Sequence, residues 1–344
     1  MSLKDPKIMF FGAGAIGGSV AAWVAEHYDN VIVLDQNTVI EAIRSKGITT
    51  YCVDTPEDRT TVRVRTTASL DDARDADIIA ICVKNYSLDA VSKSIRAAVG
   101  DRPFIIGMQN GIENQRVLPR YFSKVIYCAI GYNAWLDETG VVGYQKKGPL
   151  VFGTLDNSLR DELTSIASLF NRGVETVVTD HFQDASHSKL IINLTNSLTT
   201  LVGHKVRDIS DPALFQKLLT NLLLEGVQIA RTAGYHECKI GGMPPWRKIW
   251  MGARLPRFMT RRMFDANAKK MVMSSMAQDI IQRSGHESEL ETINGYFISL
   301  ADRHNMAVPY NRAVYELCRQ EFSRPVFQPM DVVEVWEKVR EKLI

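Results

Sequence analysis

Gly12-Ala-Gly14-Ala-Ile-Gly17 constrains this chain more than any other feature. It follows a short β-rich run, Lys7–Phe11, and opens a segment of helical spacing, Ala15–Glu26. Glycines at this spacing do separate jobs at a strand-to-helix turn. Gly12 permits the tight turn, Gly14 lets a pyrophosphate approach the backbone, and Gly17 lets helix and strand pack closely. The first helical N–H groups, those of Ala15, Ile16 and Gly17, are then free to bind phosphate, helped by the helix dipole. Alone the motif is weak, and a glycine-rich turn in another kind of α/β protein is the rival reading. The flanking strand and helix favour a dinucleotide site.

Asp35 ends the next apolar run, Val31–Asp35, 18 residues after Gly17. An acid there accepts hydrogen bonds from the ribose hydroxyls of NAD and repels the extra phosphate of NADP. Gln36 and Asn37 carry no charge, and Arg44 and Lys46 reach that phosphate only by folding back. NAD(H) is therefore favoured, with NADP(H) left open. The rival reading makes Asp35 the cap of a helix starting near Thr38.

The stretch Ile8–Ala25 holds 18 residues without a charge, a length that suggests a signal peptide or a membrane span. Four glycines within it, Gly12, Gly14, Gly17 and Gly18, argue against both.

The 344 residues predict about two domains. Up to about residue 180, apolar runs (Asp77–Val83, Phe104–Met108, Lys124–Tyr132, Leu150–Gly153 and Val174–Thr179) alternate with helical segments such as Ser87–Val99. That alternation predicts βαβ units and a Rossmann-type, doubly wound parallel sheet over residues 1–180. No strand is predicted in the polar segment that ends at Thr67. Residues 181–344 predict an all-helical domain, with period 3.6 in Gln183–Val202, Pro212–Ala233, Ala266–Gln282, Glu289–Asn305, Asn311–Glu321 and Met330–Leu343.

Composition excludes several classes. Hydrophobic residues at 45% and charged residues at 23% rule out a disordered or collagenous chain. A net charge of +2 gives no global footprint for nucleic acid or membrane. Cys52, Cys82, Cys128, Cys238 and Cys318 have no metal-ligand spacing and read as reduced thiols of a cytoplasmic protein, with no metal expected. One local anomaly is Arg247–Lys270, with eight basic residues and a single acid, Asp265. It is read first as a solvated helical face, with an anionic-substrate funnel or a subunit contact as alternatives.

Lys189, Asn193, Asn196 and Thr200 fall within about 60° on a helical wheel, while Leu190, Ile191, Ile192, Leu194, Leu198, Leu201 and Val202 fill most of the rest. A buried helix with one polar stripe must aim it at something that satisfies it, and a cofactor-filled cleft between domains would do so. A thin solvated edge is the alternative. Desolvation lowers a lysine pKa towards the working range of a general acid. Glu289 lies in the first turn of a later helix, where it also suits the dipole.

These motifs together resemble the ketopantoate reductase (2-dehydropantoate 2-reductase) family over nearly the whole chain. The resemblance rests on Phe-Gly-Ala-Gly-Ala-Ile-Gly, Val83-Lys84, Gln109-Asn110-Gly111, Lys189-Leu-Ile-Ile-Asn193, Ser274-Ser275-Met276-Ala-Gln278-Asp279-Ile280, Glu289-Leu-Glu-Thr-Ile-Asn294-Gly295 and Pro309-Tyr-Asn311. It implies hydride transfer from a nicotinamide to the keto carbon of a 2-oxo acid, ketopantoate in the first instance. It implies that Lys189 donates the proton and that Glu289 orients Lys189 or a substrate hydroxyl. Asn193, Asn196 and Ser275 would bind the substrate, Asn110 would sit near the nicotinamide, and Lys84 would lie beside the cofactor. The chain departs from the family in three places: Asp35-Gln36 where an arginine is common, an asparagine at +7 from Lys189 where +8 is common, and a long basic stretch from Met243 to Lys270 with Trp246 and Trp250.

Two other functions stay open: an opine-type or other 2-hydroxy-acid dehydrogenase on the same plan, and a non-catalytic NAD(H)-binding sensor. The partners expected are a small-molecule 2-oxo acid and at most a second copy of the chain, with no nucleic acid and no membrane.

Overall fold

The computed structural model describes residues 4–239, 244–283 and 288–343; Met243, where the basic stretch begins, lies outside them. The chain divides into two compact units, Met1–Ala185 and Ser186–Ile344.

The first unit holds strands β1 (Ile8–Phe11), β2 (Val31–Leu34), β3 (Ile48–Cys52), β4 (Thr55–Val62), β5 (Arg65–Thr67), β6 (Ile78–Ile81), β7 (Phe104–Gly107), β8 (Val125–Ile130), β9 (Ala134–Glu138), β10 (Val141–Tyr144), β11 (Leu150–Gly153) and β12 (Thr176–Val178). Helices α1 (Ala15–Ala25), α2 (Asn37–Lys46), α3 (Asn85–Val99), α4 (Glu113–Val117) and α5 (Arg160–Phe170) connect them. Eight strands form a sheet in the order β12-β11-β8-β7-β6-β1-β2-β5. The six from β5 to β8 are parallel, and their order is that of a doubly wound dinucleotide fold. Every residue of β2 (VIVL) and β6 (IIAI) is buried, which is why these strands are unbroken apolar runs in the sequence. The chain leaves β1 to one side for β2 and returns to the other side for β6. The carboxyl ends of β1 and β6 therefore flank the switch point, where such sheets bind ligands.

Two features of this unit differ from expectation. The sheet is parallel only as far as β8, because β11 pairs with β8 antiparallel and carries β12 at the edge. The polar segment ending at Thr67 contains three strands, and β3 and β4 join β9 and β10 in a second sheet, β4-β3-β10-β9. Strand β4 (TPEDRTTV) is exposed along nearly its whole length, so it has no buried face to print an alternating pattern on the sequence. The uncharged stretch Ile8–Ala25 is β1, the glycine turn and α1. Among the described residues no helix is long and apolar enough to cross a membrane.

Helix α6 (Phe182–Asn193) begins four residues before the second unit, whose other described helices are α7 (Thr195–Leu201), α8 (Pro212–Thr232), α9 (Trp246–Arg254), α10 (Arg257–Lys270), α11 (Ser275–Ala277), α12 (Tyr296–Arg303), α13 (Pro309–Phe322) and α14 (Val332–Glu341). Their core gathers Leu198, Leu201, Leu218, Leu222, Val314 and Val335. A buried acid organises it. The Glu225 carboxylate of α8 accepts hydrogen bonds from the backbone N–H groups of Tyr310 (3.0 Å) and Asn311 (2.8 Å), capping α13. Asn311 Nδ2 adds a third at 2.9 Å, so the Pro309-Tyr-Asn311 motif has a structural use.

Three segments expected as single helices are interrupted. Gln183–Val202 breaks at Leu194, between α6 and α7. Ala266–Gln282 is the end of α10, an extended link, α11, and a π-helical turn, Gln278–Gln282. Ser274 causes the restart, its Oγ accepting from the Ala277 N–H at 3.2 Å as an N-cap. Glu289–Asn305 opens with a π-helical turn, Glu291–Gly295, before α12.

The basic stretch forms α9 and α10, and all eight of its lysines and arginines are exposed. Trp246 is buried, with the Arg231 guanidinium 5.5 Å from its ring centre, whereas Trp250, Phe258, Met259 and Met263 are exposed.

Candidate active site

Two sets of predicted residues are assembled, one in each unit. In the first, Gly12 adopts φ +105°, the left-handed region open to glycine. A side chain at Gly17 would collide with the Gly12 carbonyl oxygen and Cys82 Cβ, so close packing excludes one there. Gly14 is different: a Cβ built on it meets nothing within 4 Å. Gly14 is also the N-cap of α1, which has no side-chain cap and no acid in its first turn. Open space before an uncapped helix N-terminus, at Ala15, Ile16 and Gly17, fits a pyrophosphate.

Asp35 is partly buried at the end of β2, and its carboxylate accepts from the Ala13 N–H (2.6 Å) and the Gln36 N–H (2.7 Å). It does not cap the next helix: Gln36 is the N-cap of α2, without a side-chain cap bond. Arg44 and Lys46 occupy the last turn of α2, at the far end from Asp35.

Lys84 and Asn110 follow the carboxyl ends of neighbouring strands β6 and β7, beside the switch point. Sequence reasoning missed how their turns are tied together. Asn85 Nδ2 donates to the Asn110 carbonyl at 2.7 Å, and Gln109 Nε2 donates to the carbonyls of Ile81 (2.7 Å) and Val83 (3.1 Å). The only hint was an amide on each turn.

In the second unit, Lys189 is partly buried on α6, and desolvation pushes its pKa down to about 8. The Glu289 carboxylate, itself buried, acts in the opposite direction and favours the ammonium form. Asn193 lies one turn beyond Lys189 on the same face. It is 6% exposed, and its Nδ2 is buried without a hydrogen-bond partner among the described residues. Such an orphaned donor awaits an acceptor. Asn196 is partly buried, and its carbonyl accepts from Thr200 Oγ1 at 2.7 Å. Thr200 Oγ1 also lies 3.3 Å from Ser274 Oγ, so Ser274 meets the polar stripe, while Ser275 stands next to it, partly exposed. A lysine with a lowered pKa, a carboxylate acting on it and an amide donor without a partner among the described residues form a set suited to protonating and holding an oxygen-rich substrate.

Two family models match the chain: ketopantoate reductase PanE/ApbA over residues 8–157, and ketopantoate reductase PanE/ApbA C terminal over residues 181–321. The chain is 26% identical over 321 residues to the 2-dehydropantoate 2-reductase of Pyrococcus horikoshii, covering 92% of this chain and 98% of that one. A D-mandelate dehydrogenase solved with NADH and anilino(oxo)acetate aligns with a TM-score of 0.73 at 16% identity, over 97% of this chain and 99% of that one. A PanE/ApbA family ketopantoate reductase from Ralstonia eutropha aligns with a TM-score of 0.71 at 20% identity, over 97% and 99%. The two structural likenesses are likenesses of fold.

Proposed function

The chain belongs to the ketopantoate reductase PanE/ApbA family, and on that premise we propose that it reduces a 2-oxo acid with NADH, 2-dehydropantoate to pantoate being the first candidate. Residues 1–180 hold the dinucleotide and residues 181–344 supply substrate binding and the proton. Gly12, Gly14, Ala15, Ile16 and Gly17 receive the pyrophosphate, Asp35 the ribose hydroxyls, Asn110 lies near the nicotinamide, and Lys84 lies beside the cofactor. When bound, the reduced nicotinamide supplies the hydride that turns the keto carbon into a secondary alcohol.

Lys189 Nζ gives its proton to the alkoxide oxygen that develops at that carbon. Glu289 keeps Lys189 charged before the transfer and oriented during it. Asn193 donates its Nδ2–H, without a partner among the described residues, to a substrate oxygen, and Asn196 and Ser275 take the remaining polar groups. Any macromolecular partner is a second copy of the chain.

The observation that carries this reading is Lys189, whose pKa burial brings down to about 8 while the buried carboxylate of Glu289 acts to raise it. A second reading, reduction of a different 2-oxo acid, is favoured by Asn196 at +7 from Lys189, which alters where the second amide meets the substrate. A panel of 2-oxo acids tests both. NADH oxidation with 2-dehydropantoate at the highest kcat/KM supports the first, and a higher kcat/KM for another 2-oxo acid supports the second. No turnover with any member of the panel, despite NADH binding, would leave a sensor.

A further inference from the structure

Asn294 is fully buried and joins two helical segments. Its Nδ2 donates to the Leu194 carbonyl at 3.3 Å and to Ser197 Oγ at 3.0 Å. Ser197 Oγ in turn donates to the same Leu194 carbonyl at 2.8 Å. Leu194 is the residue at which the helix breaks between α6 and α7. Thr195 Oγ1 serves the freed turn as well, donating to the Ile192 carbonyl at 2.8 Å. A helix break with side-chain donors inserted at it has a local cause.

The positions of this tie are what matter. Leu194 lies five residues after Lys189, and Asn294 lies five residues after Glu289. Helical winding begins at Glu289, whose carbonyl accepts from the Ile293 N–H at 3.0 Å, and continues through the π-helical turn Glu291–Gly295. The tie therefore lies five residues beyond each member of the charged pair, on the two segments that carry them. A π-helical turn changes the angular position of everything before it relative to everything after it, and such turns recur at functional sites. Fixing Asn294 to the α6–α7 break thus fixes where Glu289 stands relative to Lys189.

We propose that Asn294 is a positioning residue, which holds the Glu289 carboxylate in register with the Lys189 ammonium through its bonds to Leu194 and Ser197. This rests on Lys189 being the proton donor. The Glu289 carboxylate favours the ammonium form of Lys189 against desolvation, so a loosened tie weakens that support.

The test compares Asn294→Asp and Asn294→Ala with the unchanged enzyme. Asn294→Asp is nearly isosteric but replaces a double donor with an acceptor facing the Leu194 carbonyl. For both variants kcat should fall about tenfold or more, since displacement of a catalytic group by about 1 Å has effects of this order or larger. The limb of the pH–kcat profile that belongs to Lys189 should move down by about half a unit or more, while KM for NADH stays unchanged. Ser197→Ala, which leaves the Leu194 bond in place, should move the limb less. The double variant Asn294→Ala/Ser197→Ala should fall short of the sum of the two single effects. A folded Asn294 variant with an unmoved limb would overturn the proposal, whether kcat drops or not, because loss of active protein lowers the rate without shifting the profile. Should Asn294→Ala fail to fold, Asn294→Asp and Ser197→Ala carry the test. Full activity in Lys189→Ala would instead overturn the assignment of the proton donor, which is a separate outcome.

Discussion

The carboxylate of Asp35 accepts a 2.6 Å hydrogen bond from the backbone N–H of Ala13, inside the glycine turn. The acid at the end of β2 therefore fixes the glycine turn, and on the proposed reading it presents negative charge where a ribose would lie. NADH should be used with a kcat/KM at least about tenfold higher than NADPH, a difference of about 1.4 kcal/mol. Asp35→Ser should narrow that ratio and also weaken NADH itself, because the Ala13 N–H loses its acceptor. Steady-state kinetics with both cofactors check this; a preference for NADPH in the unchanged enzyme contradicts it.

Gly14 and Gly17 separate binding from folding. Gly14→Ala should cost no more than about 1 kcal/mol of stability, since the methyl group enters open space at an N-cap. It should nonetheless raise the Kd for NADH, because on the proposed reading the phosphates occupy that space. Gly17→Ala should lower the melting temperature sharply, as its Cβ overlaps the Gly12 carbonyl oxygen. Thermal melts and a NADH titration of both variants distinguish the two effects.

Reduction should slow as pH rises through about 8, where Lys189 loses the proton it must donate. Glu289→Gln removes the charge that raises the lysine pKa against desolvation, so the limb should move to lower pH. The same shift has a consequence for stability. The folded-state pKa lies below the ordinary value of 10.5, so folding disfavours the ammonium form. That cost is fully present below pH 8 and is relieved as pH rises from about 8 to about 10.5, so this group makes the fold more stable across that window. A pH–kcat profile on enzyme and variant, with denaturant melts across the window, reads both.

How far the sequence reached depended on burial. The strands β2 and β6 were legible because both their faces are covered and their residues are uniformly apolar. Strand β4 was not, because water covers it and no face selects apolar residues. At the site, Lys189 and Asn193 were legible as a polar stripe on an apolar helix. The helix break at Leu194 was hidden, because the apolar spacing runs on through it, and the bond its carbonyl accepts from Asn294, 100 positions away, leaves no mark on local periodicity. Likewise the N-cap at Ser274 divides a segment whose hydrophobic spacing continues across it. Periodicity reports which face is buried, and it is silent on side chains that enter the backbone ladder from elsewhere.

The α9–α10 surface combines eight exposed basic residues with exposed Trp250, Phe258 and Met259. Among the described acids of this stretch only Asp265 pairs with it, at 3.4 Å from Arg261. As a solvated face it should be silent in catalysis. Neutralising Arg254, Arg257, Arg261 and Arg262 together should leave both KM for the 2-oxo acid and the sedimentation mass unchanged. A KM that rises with these changes and with salt would assign the face to substrate steering, since exposed charges are screened beyond about 8–10 Å at such ionic strengths. A changed mass would assign it to a subunit contact.

The central claim is that Lys189 donates the proton in the reduction of a 2-oxo acid. The most direct measurement is the rate of NADH oxidation with 2-dehydropantoate by Lys189→Ala beside the unchanged enzyme, with NADH binding measured on both. A loss of about 10²–10⁴-fold in kcat, with the Kd for NADH unchanged, is the result predicted; wild-type-like kcat in the variant would contradict it.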